Sequence, residues 1–536
     1  MSDRLIGPAA DSVAQSVAAG ADGQRPGVAE VRRRVARHLA VQVDGEGALR
    51  DRCAGRIIES ALLLLLLRKE RALPRVQKEL QEYLQRARPK GTLERVVVDA
   101  LSGRPCDADG LLAGLNRARH GSGARKRLLL DTILGLCGVL PDGARPDPRE
   151  IAPRPQAVWT ELTLCAATIL HSHAHAGAGT AGQPGPAGDP ASGQELLDYQ
   201  DLLVRRLSAF PVRRVWEGNA LAHLVALHAL HTYRPGSELM RDGIEALARL
   251  RGPDGGVPFI DGQEVFVTSL AALALAPAPG HEPLAARMGQ YLASRQHADG
   301  GWGYNETTTQ TDVDDTARCV ELLRTLDAHR FRHGIAAGEE YLRARANDAG
   351  GFPTYLRGHT SDLDMTAGAV IALPWSRYGD LLGPAVGVLL DAQQQDGSFE
   401  PSWTLSMSSA IQRILDALAC VPATETTLRR RADQAVARAV AFLDESRGTD
   451  GGWGHVPGRD SDVLSTAQAL SALARHAPRV DLGKPLAYLT DQQHEDGGFS
   501  SIADQAGPRP LPFDFPVLAD VHVLTALNRL IGHGTA

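Results

Sequence analysis

The chain has 536 residues, of which 43% are hydrophobic and 22% charged, as in an ordinary soluble globular protein. This length exceeds what one core normally uses, so two domains or one large repeat architecture is expected. The formal net charge is -6, and no basic block or interleaving of Lys/Arg with aromatic residues is visible, which argues against a nucleic-acid partner.

Cysteine spacing and hydropathy indicate the cellular compartment of the protein. The six cysteines have neither zinc-site spacing nor a disulfide pattern, which fits a reducing compartment. Residues 1–20 lack a signal-peptide pattern, and the longest apolar run, Ala61 to Leu67, is too short to cross a bilayer. We therefore expect a cytoplasmic protein without an integral membrane segment, and a buried helix at this run.

The first half of the chain has a helical pattern. From Val28 to about Leu140, apolar residues recur at three- and four-residue spacing with charged residues between them. A Pro-rich stretch, 141–155, interrupts this pattern, and a further helix is expected over 157–171. Residues 175–194 are rich in Gly, Ala and Pro, so we expect a loop there.

The second half is a repeat. Six glycine-containing turns follow an Asp and recur every 45 to 54 residues; these aspartates are Asp254, Asp299, Asp348, Asp396, Asp450 and Asp496. Each turn lies between a polar/apolar helix and a second helix that is richer in small apolar residues. Such pairs predict an all-α fold with an inner and an outer ring of helices, an α/α toroid, although an open solenoid has the same periodicity.

Three carboxylates in four positions mark the start of the second inner helix: Asp312, Asp314 and Asp315. Capping a helix needs only one of them. Like charges this close cannot all ionise cheaply, so at least one should have a raised pKa and hold a proton, as a Brønsted acid must. Single or paired aspartates stand at equivalent places in later repeats, including Asp364 and Asp462, and should gather at the same end of the toroid.

Several of these motifs resemble those of a known family. The Gln-x-x-Asp-Gly-Gly-Trp repeats resemble the QW motifs of the squalene–hopene cyclase superfamily, and Asp312-Val313-Asp314-Asp315 matches the D-x-D-D motif of class II terpene cyclases. The segments 351–355, 396–399 and 402–403 are similar to those of bacterial class II diterpene cyclases that make copalyl-type diphosphates. The likeness covers roughly residues 236–536.

The resemblance implies two α/α-barrel (toroid) domains in a βγ architecture. Residues 236–536 would form the β domain, 25–235 the γ domain and 1–24 a segment that packs back onto β, with the active site between the two domains. Asp314 would then be the general acid that protonates the terminal alkene of a linear prenyl diphosphate, and Asp312 and Asp315 would orient it and tune its acidity.

The same resemblance implies groups that hold the carbocation and the diphosphate. Aromatic faces stabilise cations, and the candidates for lining the substrate cavity, with one carboxyl, are Trp403, Phe352, Tyr355, Phe399, Trp216 and Asp364. Packing within a repeat is the alternative for each aromatic residue. The candidates for the diphosphate are Lys126, Arg127 and Arg213, with Glu161 as a Mg²⁺ ligand. A place on a solvated helix face is the alternative for these four.

These features favour cyclisation of geranylgeranyl diphosphate to a bicyclic labdane- or copalyl-type diphosphate. No D-D-x-x-D motif occurs, so the product should keep its diphosphate. The alternative is the same chemistry on farnesyl diphosphate, giving a drimenyl-type product. Other classes considered are a non-catalytic toroid that binds lipid or protein, and an (α/α)6 glycosidase with two separated carboxylates. The sequence does not predict the oligomeric state.

Overall fold

The computed structural model describes residues 27–106, 123–140, 157–177, 193–477, 479–509 and 511–533. Within them the regular secondary structure is helical, apart from one two-stranded pairing of β1 (Gly55–Arg56) and β2 (Val257–Pro258). The helices are α1 (Val28–Ala40), α2 (Ile57–Glu70), α3 (Pro74–Arg86), α4 (Thr92–Leu101), α5 (Gly123–Leu136), α6 (Val158–Gly177), α7 (Gly193–Ser208), α8 (Ala220–His231), α9 (Glu238–Arg249), α10 (Glu264–Leu275), α11 (Glu282–Ser294), α12 (Val313–Asp327), α13 (Arg332–Arg345), α14 (Leu363–Ala372), α15 (Trp375–Asp391), α16 (Met407–Ala419), α17 (Thr426–Glu445), α18 (Val463–His476), α19 (Gly483–Asp491) and α20 (Val517–His533).

The predicted inner ring is confirmed. Helices α10, α12, α14, α16, α18 and α20 contact one another in this order, and α20 also contacts α10. The ring therefore closes, which excludes the open solenoid. Small side chains at the contacts, such as Ala317, Ala367 and Ala467, are fully buried and let neighbouring helices approach closely.

Five outer helices surround this ring, and the sixth outer position is taken by α1. The outer helices within the repeats are α11, α13, α15, α17 and α19, and α1 lies beside α19, α20 and α10. Its apolar face, with Val31, Val35 and Leu39, belongs to the toroid core. The repeat pattern instead predicts that the first outer helix is the one before the turn at Asp254. That segment is α9, which buries its apolar face in the other core, against α8 and α2.

From the second repeat onward, the repeat turns pack against the next helix of the outer ring. Gln296 donates from Nε2 to the carbonyl oxygens of Gly300, at 2.8 Å, and of Gly334 in α13, at 2.9 Å. Gly300 has a φ of 86°, and a Cβ there would lie 2.5 Å from the carbonyl oxygen of Ala337 in α13. Glycine is therefore required both by backbone conformation and by close approach.

The last turn makes the same contacts with α1. Gln493 donates to the carbonyl oxygens of Gly497, at 2.9 Å, and of Val31, at 3.1 Å. A Cβ at Gly497, whose φ is 94°, would lie 3.0 Å from the carbonyl oxygen of Arg34. α1 thus completes the outer ring at the position after α19.

Helices α2 to α9 form a second hydrophobic core. The predicted buried helix at Ala61 to Leu67 is the centre of α2. The structure moves both predicted domain boundaries: residues 28–53 contribute to the toroid core rather than to the γ domain, and the second core extends past residue 236 as far as Val257. Residues 1–24, the Pro-rich stretch 141–155 and most of the predicted 175–194 loop lie outside the described residues.

The two cores meet along a seam. Strand β1 pairs with β2 in antiparallel register, Gly55 opposite Pro258. Arg56 is buried there, pairs with Glu59 and donates to the carbonyl oxygen of Gly507 at 2.7 Å. Among the described helices, none is both long and apolar enough to span a membrane.

Candidate active site

A cavity of about 500 Å³ lies between the toroid and the second helical core. Its toroid wall is formed by the first turns of α12 and α14, by the loop before α14, and by residues 400–404 and 505–509. Its other wall comes from α5, from the start of α6 and from Asn219 to Ala222. The aspartates at the starts of the inner helices α12 and α14 line this cavity.

Asp312 and Asp315 form a buried pair at the start of α12. The Asp312 carboxylate caps the helix by accepting from the backbone N–H of Asp315 at 2.9 Å, so capping does explain this residue. Burial raises the pKa of Asp312 to about 7. Burial, followed by the neighbouring charges of Asp312 and Asp314, raises the pKa of Asp315 well above its ordinary value, and the two carboxyls share a hydrogen bond. This pair therefore holds a proton at neutral pH.

Asp314 is the least buried of the three and lines the cavity. Its Oδ1 accepts from Nε of Arg318, one turn later on α12, at 2.9 Å. The Arg318 guanidinium lies 5.1 Å from the centre of the Phe266 ring, which fixes its orientation. Asp314 thus has one cation in contact and, beside it, a pair of carboxyls that shares a proton.

Two further carboxyls line the same end of the cavity. Asp362 caps α14, accepting from the N–H of Asp364 at 3.0 Å, and the Ser402 hydroxyl also donates to it. Burial raises the pKa of Asp364 to about 7, with the charges of Asp362 and Asp314 adding to the effect. Five carboxyls therefore gather at one end of the cavity: Asp312, Asp314, Asp315, Asp362 and Asp364. The repeat pattern predicted this position for Asp364. Asp462 instead caps α18 away from the cavity lining.

Two of the predicted aromatic residues, Trp403 and Tyr355, line the cavity. The Tyr355 ring meets Trp159 edge to face, with 6.5 Å between the ring centres. Sequence reasoning missed most of the aromatic lining, namely Trp159, Phe259, Phe266, Tyr304 and Phe513. These residues lie outside the recognised motifs, and some belong to the other core, so no local pattern marked them.

The structure does not bring the other three aromatic candidates to the cavity. Phe352 and Phe399 are fully buried in the toroid core, because the aromatic residue of a repeat turn points between the two rings. Trp216 is buried in the second core, where its Nε1 donates to the carbonyl oxygen of Arg206 at 3.2 Å.

Three of the candidate diphosphate and metal residues, Arg127, Arg213 and Glu161, also lie off the cavity lining. Arg127 pairs with Asp131 at 2.7 Å, and the side chain of Lys126 is outside the description. Arg213 is exposed and lies 3.5 Å from an Asp242 oxygen and 3.6 Å from one of Glu245.

Glu161, the predicted Mg²⁺ ligand, pairs with Arg206 at 2.5 Å. Over the part of the chain that the structure describes, no group of three or more His, Cys, Asp or Glu side chains is placed to hold a metal. These residues do not fit a formed Mg²⁺ site, and the metal requirement stays a prediction.

Glu217 holds the loop that leads into the acidic cluster. This buried residue has a left-handed backbone, with φ of 50°. Its carboxylate accepts from the Thr308 hydroxyl at 2.8 Å and from the Thr309 N–H at 2.6 Å. Gln310 in turn accepts from the N–H of Val158, at the start of α6, at 3.1 Å. The segment before Asp312 is thereby fixed to both sides of the seam, a contact that the sequence did not reveal.

Comparisons with known proteins cover both sides of this cavity. The prenyltransferase alpha-alpha toroid domain family matches residues 265–501. Drimenyl diphosphate synthase of Streptantibioticus cattleyicolor is 38% identical over 523 residues, 94% of each chain. Drimenyl diphosphate synthase of Streptomyces showdoensis is 38% identical over 532 residues, 95% of each chain. The ent-copalyl diphosphate synthase structure from Streptomyces platensis superposes with a TM-score of 0.57 at 18% identity, covering 95% of this chain and 100% of that one.

Proposed function

The chain belongs to the bacterial class II terpene cyclases, and we propose that it cyclises farnesyl diphosphate to a drimenyl-type bicyclic diphosphate. The observation that carries this proposal is the 38% identity, over nearly the whole of both chains, to two drimenyl diphosphate synthases. It favours the C15 alternative over the C20, labdane-type reaction that the sequence motifs had put first. Because family membership makes the chain an enzyme of this class, the non-catalytic toroid and the glycosidase are no longer supported.

Asp314 acts as the general acid in this proposal. It lies on the cavity wall, where the terminal alkene of the substrate would be placed, and it passes a proton to one alkene carbon so that a tertiary carbocation forms on the other. The carboxylate left behind is stabilised by Arg318, whose Nε already contacts Oδ1. The proton shared between Asp312 and Asp315 keeps the cluster from carrying three full negative charges.

Apolar and aromatic walls then guide the carbocation. Trp403 and Tyr355, with Phe266 and Trp159, line the cavity, and a desolvated aromatic face stabilises a cation by about 1–2 kcal/mol. The same walls keep bulk water from capturing the cation early. Loss of a proton from the bicyclic cation gives the ring alkene of a drimenyl skeleton, and without a D-D-x-x-D motif the diphosphate is retained.

A product assay tests the proposal. Purified protein is incubated separately with farnesyl and geranylgeranyl diphosphates, with Mg²⁺, and the products are dephosphorylated and analysed by gas chromatography–mass spectrometry. We expect a cyclic alcohol isomeric with farnesol, at a kcat/KM well above that for the C20 substrate. A cyclic product from the C20 substrate alone would restore the labdane-type reaction, and only linear alcohols from both would refute prenyl diphosphate cyclisation.

The predicted Mg²⁺ requirement has its own test. Treatment with EDTA followed by dialysis should abolish turnover, and added Mg²⁺ should restore it. Unchanged turnover after EDTA would show that side chains alone hold the diphosphate.

A further inference from the structure

Arg413 brings two unsatisfied donors to the acid end of the cavity. It lies on α16, lines the cavity, and donates from Nη1 to Oε2 of Glu321 at 3.1 Å. Its side chain is 14% exposed. Nε and Nη2 are buried and have no hydrogen-bond partner among the described atoms. Buried N–H groups are almost always paired with protein or ordered water, so these two point to something bound there.

A gap left by Gly368 faces both these donors and the acid. Gly368 lies on α14, between α12 and α16 in the inner ring. A Cβ on this residue would lie 3.4 Å from Nη2 of Arg413, 3.9 Å from Oδ1 of Asp314 and 3.4 Å from Cβ of Ala317. The glycine thus keeps open a space with a cationic donor on one side and a carboxylate oxygen on the other. A small space with polar walls is the kind of site that holds a water molecule.

We propose that Arg413 is a positioning residue that acts on Asp314 through a water held in the gap at Gly368. This inference rests on the proposed cyclase function. When Asp314 gives up its proton, a second guanidinium reached through one water stabilises the new carboxylate and so favours the transfer. The pair with Glu321, two turns after Asp314 on α12, keeps the guanidinium aimed at this gap.

Other charged groups around the acid remain in place in the tests below. Asp314 and Arg413 face ionisable groups on four elements: Asp312, Asp315, Arg318 and Glu321 on α12, Asp362 and Asp364 at the start of α14, Asp416 on α16, and His522 on α20 beside Arg318. Burial lowers the pKa of His522 to about 4, so it is neutral at working pH. A change that follows substitution of Arg413 alone is therefore attributable to its own charge.

The first test replaces Arg413 by Gln. We expect kcat to fall roughly 10- to 100-fold and KM to change much less, because the proposed contact of Arg413 is with the acid. The alkaline limb of the kcat–pH profile should move to higher pH, since loss of a cation favours the protonated form of the acid.

Arg413→Lys is the control, because it restores the charge. It should recover part of kcat and return the alkaline limb to its wild-type position. A lower Tm with the wild-type kcat and pH profile would overturn the proposal and leave Arg413 a structural residue.

The second test fills the gap without disturbing the charge. Gly368→Ala introduces only ordinary van der Waals contacts, and Ala favours the helix, so Tm should be unchanged or higher. We expect kcat nevertheless to fall about 10-fold, because the methyl group displaces the water. The matched control is Gly387→Ala in α15, where an added Cβ meets nothing within 4 Å; its kcat should equal that of wild type.

Wild-type kcat in Gly368→Ala would also overturn the proposal. A wild-type protein that forms no cyclic product would instead refute the proposed function, so the two failures are distinct.

Discussion

The second and fifth repeats of the toroid share one turn, but only the second has three aspartates at the start of its inner helix. In both, the turn tryptophan donates from Nε1 to a main-chain carbonyl of the preceding outer helix at 2.7 Å, Trp302 to Leu292 and Trp453 to Leu443. In both, an aspartate follows and caps the next inner helix. The indole hydrogen bond and the helix cap are therefore the same in the two repeats.

The difference lies in the two residues within the first helical turn. Asp312 and Asp462 cap their helices alike, accepting from the backbone N–H three residues on at 2.9 Å and 2.8 Å. The second repeat then has Asp314-Asp315 where the fifth has Leu464-Ser465. Capping explains the first aspartate of each repeat, whereas the two additional carboxyls add nothing to the cap. The helix cap therefore accounts for the position of Asp312, and it leaves Asp314 and Asp315 without a structural explanation.

The largest effect should come from removing the acid. Asp314→Asn keeps the shape but not the proton, and we expect turnover to fall about 10²- to 10⁴-fold, with Tm close to that of wild type. The counterpart Asp462→Ala in the fifth repeat should lose about 1 kcal/mol of stability from the missing cap and keep its turnover per folded molecule. Product formation by Asp314→Asn near the wild-type rate would refute the role of Asp314 as the acid.

A second variant gives the second repeat the residue that the fifth repeat has at the same position. In Asp315→Ser the hydroxyl replaces a carboxyl that is held protonated, and turnover should fall about 10-fold or more. Because the pKa of Asp315 is raised in the folded state, this group favours the folded state below its unfolded pKa and disfavours it progressively as pH rises above about 4. The stability of the variant relative to wild type should therefore increase from pH 4 to pH 8, as followed by Tm. A difference independent of pH would mean that Asp315 is ionised in the fold.

The turn tryptophans test the shared scaffold. Trp302→Phe and Trp453→Phe each lose the indole hydrogen bond and some buried volume, at a cost of about 2 kcal/mol apiece. We expect equal losses in denaturant unfolding, with reduced turnover in the second repeat only, because its turn leads directly into the acid. Turnover that falls in the Trp453 variant as well would show that the cavity depends on the whole ring.

The smallest effect is expected at the threonines that follow the caps. The hydroxyls of Thr316 and Thr466 accept from the turn N–H of the tryptophan at 3.0 Å and 2.9 Å. Thr→Val at either position should cost about 1 kcal/mol, and Thr→Ser should restore most of it. Unequal losses at the two sites would show that the carboxyls of the second repeat alter its turn.

The sequence predicted the features that depend on neighbouring residues, and it missed those that depend on contacts between distant parts of the chain. The ring was visible because its glycines recur where the backbone needs a positive φ, and the acidic cluster because it exceeds the needs of a cap. An amphipathic pattern does not say which core a helix joins, so α1 and α9 were assigned to each other's core. The role of Arg413 and the pairing of Glu161 with Arg206 depend on residues far apart in the chain.

The place of α1 in the outer ring has a consequence for biosynthesis. α1 is made early, but the groups it must meet follow much later: Arg34 donates to the carbonyl oxygen of His494, 460 residues on, and Arg32 to Asn528, 496 residues on. Until the ribosome has released that part, the apolar stripe of α1 has no place in the toroid. Closure of the ring must therefore wait until α19 and α20 have been made, and the nascent chain must keep α1 from aggregating until then.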